Sequence, residues 1–193
     1  MQLQSIICNM TTNFNKYSLI NAVKGMNLEL VKKLIHEPNI NINTVCNDKN
    51  WTALMYACSY SDVERNYCFN KTHDQYIDDE EETLIKIKSS VQIRLKIVKE
   101  LLKCPTINIH YIYYKFPKNP SHFKYSALNI ANKRYNFGKN HLILAELVKR
   151  YNLENDGSSF NIVTNNNQTC LHKAYNSNNI DALTELLKCY HQN

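Results

Sequence analysis

Cys58, Cys68 and His73 are the closest group of three Cys/His residues in this chain. Two thiolates and an imidazole can bind zinc, and a cysteine near a histidine can act as a nucleophile. Their spacings match no usual zinc pattern, and a fourth ligand is missing. The seven cysteines (8, 46, 58, 68, 104, 170 and 189) are odd in number and contain no C-x-x-C pair. Reduced thiols in the cytoplasm or nucleus are therefore expected. The run Asp78-Asp79-Glu80-Glu81-Glu82 offers carboxylates for a cation or a basic partner. It equally suits the N-terminus of a helix, where the dipole favours negative charge. Three glycines cannot form a phosphate-binding loop, and neither G-x-S-x-G nor H-E-x-x-H occurs. No catalytic residue, metal or cofactor is expected, nor a small-molecule substrate, and the chain reads as a non-enzyme.

Binding chemistry is better represented. Tyr111-Ile112-Tyr113-Tyr114-Lys115-Phe116-Pro117-Lys118 interleaves aromatic rings with lysines. Such a segment can stack on single-stranded nucleic acid, form a protein-binding finger or fold over its own hydrophobic edge. The net charge of +6 permits acidic partners without demanding them.

The elements that position these residues follow from periodicity. A polar or small residue, then Leu, then Ala three residues on, recurs four times: Tyr17-Ser18-Leu19-Ile20-Asn21-Ala22, Thr52-Ala53-Leu54-Met55-Tyr56-Ala57, Ser126-Ala127-Leu128-Asn129-Ile130-Ala131 and Thr169-Cys170-Leu171-His172-Lys173-Ala174. Each is followed by an apolar cluster at helical spacing, around Leu30-Val31, Ile97-Val98, Ile143-Leu144 and Ala182-Leu183. The unit is a short helix, a turn and a second helix. Two units end in Pro-x-Ile-Asn-Ile, at Pro38 and Pro105, where proline stops the helix and the chain runs extended.

This pattern resembles the ankyrin repeat, whose box reads T-P-L-H-x-A. The fourth copy is nearest, with Thr169, Leu171, His172 and Ala174 in place, and the second keeps Thr52 and Leu54. No copy has the box proline. The glycine of the preceding turn is replaced by Asn15, Asn50, Lys124 and Asn167, and asparagine tolerates left-handed backbone best among non-glycine residues. The resemblance implies an all-α solenoid of helix-turn-helix units in one domain over 1–193, with a helical and loop insertion in the second repeat. The repeats are expected at about 13–46, 47–110 with the insertion at 61–93, 121–155 and 164–190, after an N-terminal cap at 1–12. The stretch 83–102 reads as a second helix extended backwards, with Leu84, Ile87, Val91, Leu95, Val98 and Leu102 on its buried face and the acidic run at its start. Residues 61–77 read as loop. Asp181, Thr184, Glu185 and Lys188 are expected to give the last helix a polar outer face.

In the family, the box histidine bonds the backbone of adjacent loops, so His172 is expected to be structural. The resemblance also implies a partner protein, bound by loop tips and the inner helix face. Those positions are Lys16, Lys49, Trp51, Tyr60, Phe123, Tyr125, Lys133, Arg134 and Gln168, with Trp51 and Tyr125 as anchors. The alternative is a nucleic-acid-binding accessory protein that uses the loop at 111–125 with Lys115, Lys118, Lys124, Lys133 and Arg134. The A/T-rich residue usage suits a giant virus, an intracellular bacterium or a protist; for the first two, a host protein is the expected target. No apolar run is long enough to cross a membrane, and the start lacks the basic region of a signal peptide.

Overall fold

The computed structural model describes residues 14–59, 61, 64, 66, 67, 70, 79–114, 124–131, 140–154, 168–176 and 179–190. Four helix pairs appear: α1 (Ser18–Lys24) with α2 (Leu28–Leu34), α3 (Ala53–Cys58) with α4 (Glu80–Lys103), α5 (Ala127–Ala131) with α6 (Asn140–Glu154), and α7 (Cys170–Asn176) with α8 (Ile180–Tyr190). Within each pair the helices pack together. Between pairs, α1, α3 and α5 form one row, and α2, α4, α6 and α8 form the other. The result is the expected two-layer helical solenoid. Strands β1 (Tyr113–Tyr114) and β2 (Lys124–Tyr125) pair antiparallel and close the base of the loop at 111–125, for which the residue pattern predicts no strands.

Helices of five to seven residues are too short to persist alone. They are held by caps and by burial. Thr52 Oγ1 accepts from Met55 N–H at 3.3 Å, and Ser126 Oγ accepts from Asn129 N–H at 3.1 Å. Tyr17 has no such oxygen, and Asn15 substitutes for it by accepting from Tyr17 N–H at 2.9 Å. Asn27, Asp79 and Asn179 cap the second helices α2, α4 and α8 in the same way. The box residues Leu19, Leu54 and Leu128 are fully buried, and so are Ala22, Ala57, Ala131 and Ala174. Alanine at the last position lets neighbouring helices approach closely.

The α1–α2 link closes with Asn27 N–H donating to Ala22 O and Met26 N–H to Val23 O. This closure places Met26 at φ 53°, a left-handed position where glycine is usual. The methionine sulfur in turn accepts from Ser90 Oγ at 3.7 Å, tying the turn to α4.

The two Pro-x-Ile-Asn-Ile loops are clamped to each other. Asn43 Nδ2 donates to Thr106 O at 2.8 Å, and Asn43 Oδ1 accepts from Asn108 N–H at 2.7 Å. Tyr151 on α6 then donates to Ile109 O at 2.6 Å. One side-chain amide and one phenol thus link three successive units at this edge.

The helix expected at 83–102 is α4, and the acidic run lies at its N-terminus as anticipated. Asp79 caps it, Glu80 accepts from Tyr67 hydroxyl at 2.8 Å, and Glu82 pairs with Lys86 at 2.7 Å. The loop expected at 61–77 needs correction where it is described: Glu64, Asn66, Tyr67 and Asn70 have helical backbone. Tyr67 packs with Leu84, Ile87 and Val91 in a small second core. The N-terminal cap at 1–12 lies outside the described residues.

Candidate partner-binding surface

The turn before α3 is the best-built loop tip. Val45 and Thr52 form an antiparallel bridge, Cys46 N–H donates to Trp51 O at 3.0 Å, and Asn50 N–H donates to Cys46 O at 2.8 Å. Closing so tight a turn requires left-handed backbone, and Asn50 supplies it at φ 51°. Tyr111 hydroxyl donates to Asn50 O at 3.3 Å and braces the tip from the following loop.

Side chains converge on this tip. Trp51 and Tyr56 meet edge to face with ring centroids 5.3 Å apart. Lys24, from the end of α1, places its ammonium 4.4 Å from the centre of the Tyr56 ring and 3.4 Å from Asp48. Tyr56 hydroxyl donates to Asp48 Oδ1 at 3.0 Å. Lys49 lies 5.2 Å over the Trp51 ring. Two further lysines cover aromatic rings nearby: Lys16 over Tyr17 at 4.8 Å and Lys33 over Phe14 at 5.3 Å. Each such contact contributes about 0.5–1 kcal/mol at an exposed site and holds the ring in a fixed pose.

The electrostatics follow from these contacts. The Cys46 thiol, with the Tyr56 hydroxyl and the Lys24 ammonium, holds the Asp48 carboxyl well below the usual carboxylate range, against the opposing effect of burial. Burial first, and then Asp48, push the Tyr56 phenol well above its usual range, so it remains a donor. The folded Asp48 titrates lower than the unfolded one. Its stabilisation is therefore complete above the unfolded range and is lost as pH falls below about 4. Asp48→Asn should flatten the acid limb of a melting-temperature profile between pH 7 and pH 2.5. Parallel profiles for variant and parent would show that Asp48 contributes nothing.

Of the expected binding residues, Lys16 and Lys49 are exposed, and Trp51 and Gln168 are half-buried. Trp51 also packs against the main core, so it has a structural duty. Tyr125 lies in β2, where its backbone pairs with Tyr113; its side chain is outside the described part. Tyr60, Phe123, Lys133 and Arg134 lie outside the described residues. The structure thus brings Lys49 and Trp51 together with Lys24 and Asp48, which hold equivalent positions beside the box in the row of loop tips, and adds Tyr56. Tyr56 carried a usable signal. It occupies the fifth box position, where the other copies have Asn21, Ile130 and Lys173, so an aromatic with a polar tip stands on that face.

The other candidates resolve into structural roles. His172 is exposed, and its Nδ1 accepts from the N–H of Thr169 at 3.2 Å, while Thr169 Oγ1 accepts from His172 N–H at 3.3 Å. Among the described residues His172 thus forms a reciprocal cap of α7 within its own box, and no bond to a neighbouring loop. Cys58 is buried in α3, and burial pushes its thiol up to about 12, against the opposing charge of Arg94. It is therefore protonated at neutral pH, while Cys68 and His73 lie outside the described residues. Among the described residues no group of three or more acidic, cysteine or histidine side chains could hold a metal ion. No described helix is long and apolar enough to cross a membrane.

Residues 19–113 match a family model of ankyrin repeats in three copies. No curated protein matches the chain. Among solved structures, the chain is similar to the crystal structure of EF0377, an ankyrin repeat protein, at 15% identity and a TM-score of 0.35, over 91% of this chain and 98% of that one. Given the repeated box, the paired helices in two rows and the matched repeats, the chain belongs to the ankyrin repeat proteins.

Proposed function

We propose that this protein is a non-enzymatic interaction module that binds a partner protein through loop tips and the inner helix face of its first two repeats. Ankyrin repeats generally mediate protein–protein interaction. The observation that carries the local reading is the braced Trp51–Tyr56 pair under Lys49 and Lys24. A pre-positioned aromatic beside fixed charges is the usual composition of an energetic anchor, because little side-chain freedom is lost on binding. The partner we envisage is a host protein met in the cytoplasm or nucleus, where the free thiols Cys46, Cys58 and Cys104 stay reduced.

The test is affinity capture from cell lysate with and without nuclease, followed by measurement of affinity for any retained protein. Trp51→Ala should weaken that affinity by about thirtyfold or more. Equal affinity for parent and variant would remove the anchor from Trp51. Capture that disappears with nuclease and falls steeply with salt would favour the loop at 111–125 as a nucleic-acid site.

A further inference from the structure

The fourth helix pair ends the described stack on a face that has the sequence of an interior repeat. In the second-helix clusters, Leu183 stands where Val31, Val98 and Leu144 stand, and Leu187 where Ile35, Leu102 and Val148 stand. In the three earlier pairs those positions are buried or half-buried, and the next second-row helix packs alongside. On α8, Leu183 is half-buried, Leu187 is 41% exposed and Ile180 is 62% exposed, while Tyr175 on α7 is 74% exposed. The outer face expected to be polar is therefore only partly so. Asp181, Thr184 and Lys188 are exposed, but Glu185 is half-buried and an apolar stripe runs beside them.

Ile180, Leu183 and Leu187 follow one another at spacings of three and four, so they share one side of α8. A cleft of about 410 Å3 opens next to them between α7 and α8, lined by Ala174, Tyr175, Asn179, Ile180 and Leu183. Here the apolar face retained is the one used for stacking.

We propose that this face is the contact between two copies of the chain, related by a two-fold axis that passes near Thr184 and sets the two α8 helices antiparallel. The charge pattern selects this occupant and this geometry. Asp181 lies at the N-terminal end of α8 and Lys188 toward its C-terminal end, both on the same side of the stripe. In an antiparallel pair, flanking residues of the same side meet. Asp181 of each copy then faces Lys188 of the other, Ile180 faces Leu187, and Leu183 meets its own counterpart. In a parallel pair opposite flanks meet, so Asp181 and Lys188 would both face the uncharged flank of the other copy, with Asn179, Ala182 and Leu186. The antiparallel contact is isologous, so it closes at two copies. It uses a surface remote in sequence from the Trp51 tip and does not depend on the function proposed above.

Sedimentation equilibrium of the full chain over a range of concentrations tests this, with far-UV spectra to confirm that each variant keeps its helices. The parent should fit a monomer–dimer equilibrium. Leu187→Lys should leave only monomer. Asp181→Lys and Lys188→Asp, each alone, should weaken the dimer about tenfold, since each turns two symmetric attractions into repulsions. Mixing these two single variants should restore association, and so should the double variant D181K/K188D, because opposite charges meet again in both. A parent that stays monomeric overturns the proposal. So do open-ended assemblies, which would mean head-to-tail stacking, and dimers indifferent to these substitutions.

Discussion

Arg94→Met is expected to lower the unfolding free energy by about 3–5 kcal/mol, the usual cost of stranding one member of a buried ion pair. Arg94 and Glu64 have side chains only 4% and 2% exposed, with Arg94 Nη2 2.6 Å from Glu64 Oε1. Arg94 Nη1 donates to Ser59 O at 2.9 Å and to Asn140 Oδ1 at 3.0 Å. Glu64 Oε2 accepts from Ser61 N–H at 2.9 Å, Ser61 Oγ at 2.8 Å and Ser90 Oγ at 3.3 Å. The network joins the end of α3, the segment beyond it, α4 and the start of α6. Removing the guanidinium leaves a buried carboxylate without its cation and two oxygen acceptors without their donor. Urea unfolding should show the loss, and Glu64→Gln should cost less because an amide can keep some of the hydrogen bonds. The double variant R94M/E64L should recover much of the stability, since an apolar pair of similar volume leaves no stranded charge. A loss below about 1 kcal/mol for Arg94→Met would mean that water reaches this network.

Arg94 also shows where the sequence stops being legible. Periodicity placed Leu84, Ile87, Val91, Leu95, Val98 and Leu102 on the buried face of α4. The structure buries Ile87, Ser90, Val91, Arg94, Ile97, Val98, Leu101 and Leu102, and leaves Leu84 and Leu95 half-buried. Hydrophobicity chooses Leu95 over its neighbour because arginine is costly to bury alone. Glu64 reverses that choice from thirty positions away, and no local pattern shows that it does. The helix pairs, their order and the cap of α4 were legible because they rest on local spacing and on residues that satisfy nearby backbone groups. Asn50 was legible for a similar reason, since a tight turn lacking glycine needs a residue that accepts positive φ. The convergence of Lys24 and Asp48 on Tyr56 was not, because it joins the end of one repeat's first helix to the tip and box of the next. The exposed Asp181, Thr184 and Lys188 of α8 were legible too, but the apolar stripe of Ile180, Leu183 and Leu187 interleaved among them is not separated from a packing face by periodicity alone.

The same leucine of the repeated box should carry different energies along the stack. Leu54→Ala is expected to destabilise by about 2–5 kcal/mol, because Leu54 is almost wholly buried in α3 between α1 and α5. Leu171→Ala should cost only about 1–2 kcal/mol. Leu171 occupies the equivalent box position and has the best-matched motif around it, yet it is half-buried. The fourth box position changes in the same direction: Ile20 and Met55 are buried, Asn129 is half-buried, and His172 is exposed. What differs is not the motif but its surroundings, since α3 has first-row helices on both sides, whereas α7 packs mainly on α8 among the described elements. A solenoid adds repeat and interface terms, so a site with an unshared interface forfeits less on truncation. Hydrogen exchange should then find α7 and α8 opening at lower free energy than α3, with Leu171→Ala lowering protection in that last pair alone. Equal losses for the two leucine variants would mean that α7 is held as firmly by α8 as α3 is by helices on both sides.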